Sequence, residues 1–198
     1  MEFLVDRTDE ETLFRLVLGL IVPRPIGWVS TVSREGIYNI APFSFFNAVN
    51  DAPPVLMISI SDRDDGSPKD TVKNILDTGE FVVNLVSEET FEKMLITAEE
   101  FPPEIDEFKE AKLTPEEGRF VKAPRIKESK ASFECRLFKH MKVYDMHLIL
   151  GEALLIKVND DIVDQKGRID YKRYRPIGRL GGSFYIRTFG NSLVEPNN

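Results

Sequence analysis

Apolar positions along the chain recur with two periods. Leu13, Leu16 and Val17 lie at the three-to-four-residue spacing of a helix face, with Thr8 or Asp9 placed to cap it and Pro23 to end it. Beyond Pro23 the pattern changes to runs of β-branched and aromatic residues. Ile26 to Val32 and Ile37 to Phe46 predict two paired strands, because Ser33-Arg34-Glu35-Gly36 between them supplies a turn with a glycine free to take positive φ. Val55 to Ile60 predicts a third strand, and Pro53-Pro54, having no N–H to give to a ladder, marks its start.

Ser67-Pro68-Lys69-Asp70 has the form of a helix start: a hydroxyl at the cap, proline at the first helical position and an acid three residues after the cap. Val72, Ile75 and Leu76 form the apolar stripe of this helix, Gly79 closes it, and Phe81 to Val86 then has strand composition. Ser87 as cap, with Phe91, Met94, Leu95 and Ala98 on one face, predicts another helix, and a short one is expected near Ile105 to Ala111; residues 87–115 thus form a helical insertion. Ser132 to Val143 and Met146 to Val158 return to strand, with Gly151 a bulge or kink, and Gly181-Gly182 turns the chain into a last strand, Ser183 to Thr188. Six or more strands with one helical excursion predict a mainly β fold with α insertions, an antiparallel barrel in a single domain over 1–198, in place of alternating βαβ units.

Composition narrows the partners. With 33 acidic against 26 basic residues and a net charge of -7, no basic excess is available to displace counterions, so nucleic acid is not an expected partner. The lone Cys135 excludes an intramolecular disulfide and a Cys-based zinc site, and suits a reducing compartment. The run from Leu16 to Val22 is too short to span a bilayer and has no small-residue cleavage site after it, so neither an anchor nor a signal peptide is expected and the predicted location is cytoplasmic.

Two stretches could carry chemistry. In Ile40 to Asn47, the residues Ser44, Phe45, Phe46 and Asn47 could lay amides and a hydroxyl along the edge of a flat heteroaromatic ring; the same residues would equally serve a barrel strand with core phenylalanines. Ser61, Arg63, Lys69, Asp70 and Thr71 place hydroxyl and cationic donors at a helix N-terminus, which suits a phosphate monoester, or else forms a solvated loop, since Asp62, Asp64 and Asp65 would repel an anion if they turned inward. In Trp28-Val29-Ser30-Thr31 the two hydroxyls take opposite faces of a strand, so one of them can line a pocket, while Trp28 is either core or contact. His140 and His147 lack a further ligand pattern and read as buried, satisfied imidazoles in place of a metal site. Gly181-Gly182 fits a hairpin or close approach and no dinucleotide fingerprint. No P-loop or hydrolase motif is present, and Glu99-Glu100 and Asp160-Asp161 read as solvated loop charges.

The block VPRPIGWVSTVSREGIYNIAPFSFFNAVNDAPP, the following SPKDTVKNI with GEFVVNLV, and the late HLILGEALL and GRLGGSFY resemble the flavin reductase-like, FMN-binding split-barrel family over most of the chain. The resemblance implies a split β-barrel homodimer that holds one FMN per subunit near the subunit interface. It implies Ser30 and Thr31 beside the flavin, Ser44, Phe45, Phe46 and Asn47 along its ring and ribityl chain, and Ser61, Lys69, Asp70 and Thr71 around its phosphate. Arg24 becomes a further candidate for the anionic tail, and Tyr185 with Arg179 for the ring, from the same or the partner subunit. The implied activity is an NAD(P)H-dependent flavin reductase that passes electrons to flavin, metal ion or protein. The alternatives are an FMN electron carrier reduced by an electron-transfer protein, and a barrel without cofactor. No side chain stands out as a proton donor to substrate, which suits chemistry carried by the cofactor.

Overall fold

The computed structural model describes residues 1–188. Asp9 accepts the Thr12 N–H at 2.9 Å and caps α1 (Glu10–Leu20). β1 (Gly27–Val32) and β2 (Tyr38–Phe43) pair antiparallel about the predicted turn, in which Gly36 has φ +85°. The expected single strand from Ile37 to Phe46 is broken. After Ser44 and Phe45 the chain continues as β3 (Phe46–Asp51), which pairs with β4 (Pro54–Ser61) and not with β1. Next come α2 (Asp70–Thr78), closed by Gly79 in the left-handed region, and β5 (Glu80–Leu85). Between β5 and β8 lie α3 (Phe91–Ile96) and α4 (Glu107–Glu110), within the expected helical insertion at 87–115, and then the short pair β6 (Pro115–Glu116) and β7 (Arg125–Ile126), which the sequence reading did not anticipate. The long β8 (Ala131–Val143) and β9 (Met146–Val158), then α5 (Tyr171–Tyr174), β10 (Ile177–Arg179) and β11 (Tyr185–Arg187) complete the described chain.

Seven strands form one antiparallel sheet in the order β2-β1-β5-β8-β9-β4-β3. Its two edge strands, β2 and β3, are consecutive in the chain and separated only by Ser44 and Phe45. The sheet must therefore curl until its edges meet, which makes it a split barrel. β2 and β3 act as one bent ribbon that changes partner from β1 to β4 at that corner, where the Ser59 N–H still reaches the Phe45 carbonyl at 2.8 Å. Closure in this manner leaves few open strand edges.

Side chains from alternate positions fill the barrel: Val29, Ile58, Ile60, Phe81, Val83 and Ile149 pack together, and Val72 and Ile75 of α2 join them. The opposite faces of β1 and β2 contribute Trp28 and Ile40 to a second core with Met94 and Phe108 of the insertion and Ile126 of β7. Each such fully buried side chain contributes roughly 1.5–3 kcal/mol. Gly151 is a close approach, where a Cβ would lie 2.2 Å from Phe81 Cζ; the β8–β9 register shifts twice, between Glu134 and Cys135 and, opposite Gly151, between Leu137 and Lys139 of β8.

Two predicted caps differ. The Ser67 hydroxyl donates to Asp65 Oδ1 at 2.6 Å, so α2 begins at Asp70 with Lys69 at the cap position and no side-chain cap bond. At Ser87 the Thr90 hydroxyl accepts the Ser87 N–H at 3.1 Å, closing a 3-10 turn before α3, and the Ser87 hydroxyl is buried without a partner. No helix among the described residues is long and apolar enough to cross a membrane. No residue of α1 is buried, and Phe14 and Leu20 are 64% and 77% exposed.

Candidate functional site

The corner at Ser44–Phe45 is the floor of an open groove of about 560 Å³, walled by α1 through Phe14, Val17 and Leu18 and by β4 through Ser59 and Ser61, with Lys69 at one end. Past Lys69 it continues into a polar recess of about 100 Å³ lined by Arg63, Asp70, Thr71 and Glu107. Past Pro42 and Ser44 lies another recess, of about 190 Å³, closed by Arg179 and Tyr185. Ser44, Phe45, Ser61, Lys69, Asp70, Thr71 and Tyr185 therefore converge on one continuous surface, although they come from four separate stretches of sequence.

Asp62 and Asp65 are engaged elsewhere, whereas Asp70, Glu99, Glu100 and Glu107 line the recess and Asp145 lines the groove. Asp62 accepts from His147 Nε2 and Lys142 Nζ, both at 2.8 Å, and these donors hold its carboxyl below the usual Asp range. Asp65 is occupied by Ser67. Arg63 donates to Asp70 Oδ2 at 2.6 Å and to the Pro68 carbonyl at 2.6 Å, which neutralises the one acid at the start of α2. The Lys69 ammonium has no side-chain partner among the described residues, and the first turn of α2 has no side-chain acceptor. Unbonded N–H groups at a helix start, beside a lysine, attract an anion.

Other expected contacts lie elsewhere. Both faces of β1 are covered, so neither of its hydroxyls lines the groove. Ser30 is fully buried, with its hydroxyl donating to the Pro124 carbonyl at 2.5 Å and accepting from Asn84 at 3.0 Å. Thr31, equally buried, donates to Asn39 Oδ1 at 3.1 Å and accepts from Asn74 at 3.0 Å. Phe46 and Asn47 line a different cavity, of about 440 Å³, on the far side of the corner. Arg24 is buried and consumed by the Leu18, Ile21 and Leu180 carbonyls at 2.6, 2.8 and 2.9 Å; it clamps the end of α1 to the β10–β11 turn and has only a 3.3 Å contact to Ser44 Oγ. Trp28 is core, donating to Thr97 Oγ1 at 2.8 Å. His147 is buried and bonded through both ring nitrogens, to Asp62 and to His140 Nε2 at 2.9 Å. Among the described residues no group of three or more His, Cys, Asp or Glu side chains is placed to hold a metal ion.

Sequence reasoning missed two contributors. The apolar face of α1 is wider than Leu13, Leu16 and Val17 alone: with Phe14, Leu18 and Leu20 it spreads over a little more than half of the circumference, leaving Glu11, Arg15 and Gly19 on the rest, and so can meet more than one surface. Glu107 was also missed. Its buried carboxylate accepts from Asn39 Nδ2 and the Ile40 N–H, and Asn39 Oδ1 takes the Thr71 hydroxyl at 2.9 Å, so the insertion is tied to the first turn of α2. Burial pushes the Glu107 pKa up to about 7. No local pattern marks such a residue.

The groove joins three kinds of surface: apolar side chains from Phe14, Val17, Phe43 and Phe45, hydroxyls from Ser44, Ser59 and Ser61, and a cationic end at Lys69 and the open start of α2. Residues 18–178 match the family described as flavin reductase like domain. An uncharacterized protein of Aquifex aeolicus is 70% identical over 195 residues, covering 98% of this chain and 100% of its own. Nitrilotriacetate monooxygenase component B from Bacillus cereus has a TM-score of 0.91 at 31% identity, covering 100% of this chain and 98% of its own. The 2-nitrobenzoate 2-nitroreductase of Pseudomonas fluorescens has a TM-score of 0.89 at 28% identity, covering 100% and 96%. The chain thus belongs to the flavin reductase-like family of flavin-binding split-barrel proteins.

Proposed function

We propose that this protein binds FMN in the groove at the Ser44–Phe45 corner and acts as an oxidoreductase of the flavin reductase type. The observation that carries the proposal is the joining, in one groove, of an apolar half to the uncapped start of α2 with Lys69, which has no side-chain partner among the described residues. Lys69 and the first-turn N–H groups of α2 hold the phosphate, Ser61 and Ser44 bond the ribityl chain and ring edge, and Phe43 and Phe45 exclude water from the ring. Arg63 has the task of neutralising Asp70, so that the Lys69 charge is not cancelled. When bound, FMN supplies the redox chemistry, taking electrons from a reduced nicotinamide and giving them to a flavin, a metal ion or a protein.

The unit of function is a homodimer. α1 has one side on the groove and no buried residue, and an exposed helix of this composition calls for a partner surface. A second copy lying over α1 would also close the groove. The relatives include a monooxygenase component and a nitroreductase, both in keeping with redox work on this fold. Anaerobic mixing of the FMN-loaded protein with NADH and with NADPH tests the activity. The visible flavin absorbance should bleach with at least one of them. Bleaching with neither, but with a reduced electron-transfer protein, would make the molecule an electron carrier and refute the nicotinamide-dependent activity.

A further inference from the structure

Two guanidinium groups lie close together where the β10–β11 hairpin meets the Ser44 corner, and neither has a carboxylate partner among the described residues. The backbones of Arg24 and Arg179 exchange both N–H···O bonds, at 2.9 and 2.8 Å, which fixes the pair. Arg24 spends its donors on neutral oxygens, three of them carbonyls. Burial, and then the charge of Arg179, lower its pKa, so the two cations sense each other. Arg179 gives one Nη2 donor to the Gly182 carbonyl and lies over the Tyr185 ring, 4.3 Å from its centroid. Its Nε and Nη1 have no acceptor among the described residues. Phe91 meets the same Tyr185 ring edge-on at 4.8 Å and holds the stack in place.

Unpaired positive charge of this kind has an unfavourable self-energy that an anionic ligand relieves, and a planar guanidinium matches the two oxygens of a carboxylate. Arg179 and Tyr185 close the recess of about 190 Å³, whose other walls include Ile26, Pro42, Met94 and Ala98. That is below the roughly 300–1,000 Å³ of sites for drug-sized ligands. A dinucleotide is too large for it, whereas a single ring with one anionic substituent fits both the apolar walls and the cationic end. Pro42 and Ser44 line this recess and the main groove alike.

We propose that the recess is a subsite for a compact ring-bearing carboxylate, held by Arg179 with its ring against Ile26, Pro42 and Met94. Resting on the proposed flavin groove, this makes such an anion the class of substrate brought against the flavin. Isothermal titration of the FMN-loaded protein with benzoate, with neutral benzamide and with inorganic phosphate provides the test. Benzoate should bind about 10-fold or more tightly than benzamide, Arg179→Gln should abolish that preference, and Arg179→Lys should retain part of it. Equal binding of the two compounds, a preference that survives in Arg179→Gln, or phosphate that competes as well as benzoate would overturn the proposal. The flavin absorbance of each variant is recorded first. Protein that binds no FMN refutes the flavin groove, and titration of the flavin-free chain with benzoate then decides the Arg179 subsite separately.

Discussion

Glu107→Gln should stabilise the protein at alkaline pH and leave it nearly unchanged in acid. Glu107 is 7% exposed, and burial is the largest influence on its carboxyl; the nearby Asp70 and Asp106 add to the upward push, while the bonds from Ile40 and Asn39 act against it. The pKa rises from an ordinary 4.5 to about 7. Between those values the folded state holds a proton that the unfolded chain releases. The stabilisation is therefore fully present below about 4.5 and is lost as pH rises through about 7. At about 1.4 kcal/mol per pH unit, that interval corresponds to roughly 3 kcal/mol. Glutamine presents the same acceptor to Asn39 and Ile40 without a charge, so the variant avoids the loss. Guanidinium chloride unfolding of both proteins at about pH 4 and about pH 8.5 measures the difference. The midpoints should coincide in acid, and the variant should exceed the wild type by roughly 0.5–1 M in base. A variant less stable than wild type in base would show that the hydrogen bonds, and not burial, govern this carboxyl.

The groove and the fold make further claims. Lys69→Ala should weaken FMN binding about 10- to 100-fold, as expected for a hydrogen bond to a charged group worth roughly 1.5–3 kcal/mol, and Ser61→Ala should cost only a few-fold; flavin fluorescence titration compares them, and equal losses would contradict the phosphate assignment. Gly151→Ala should lower stability by roughly 1–3 kcal/mol or more, because the buried Phe81 ring has no room to withdraw, and unchanged thermal unfolding would disprove that close approach. If the proposed homodimer packs over α1, Val17→Glu with Leu20→Glu should give a monomer in sedimentation velocity where the unsubstituted chain gives a dimer, and should weaken FMN binding at the same time. A dimer that persists with these charges would place the interface elsewhere.

Local pattern carries α1, the β1–β2 turn and the Gly79 stop, because each depends on near neighbours: period, positive φ, a missing Cβ. It does not show the corner at Ser44–Phe45. Apolar and polar residues continue through that point as in one strand, and the change of partner from β1 to β4 is decided by the curl of the whole sheet. Ser30 and Thr31 illustrate the same limit. Alternation places them on opposite faces, but only the fold reveals that both faces of β1 are covered. Whether Asp62 opposes an anion is settled by Lys142 and His147, 80 and 85 residues away, and the availability of Arg24 by the carbonyls around it. In the proposed FMN groove the cationic end is the more legible half, since a helix start and its adjacent lysine are contiguous in sequence. Its apolar end is assembled from α1, the corner and β4, which only barrel closure brings together.

The most direct test of the central claim is the visible absorbance of the purified protein, followed by titration of the flavin-stripped chain with FMN and identification of any released chromophore. A flavin spectrum with FMN released on denaturation, and saturation at one FMN per chain, is the predicted result. Colourless protein that neither binds FMN nor quenches its fluorescence would contradict the account.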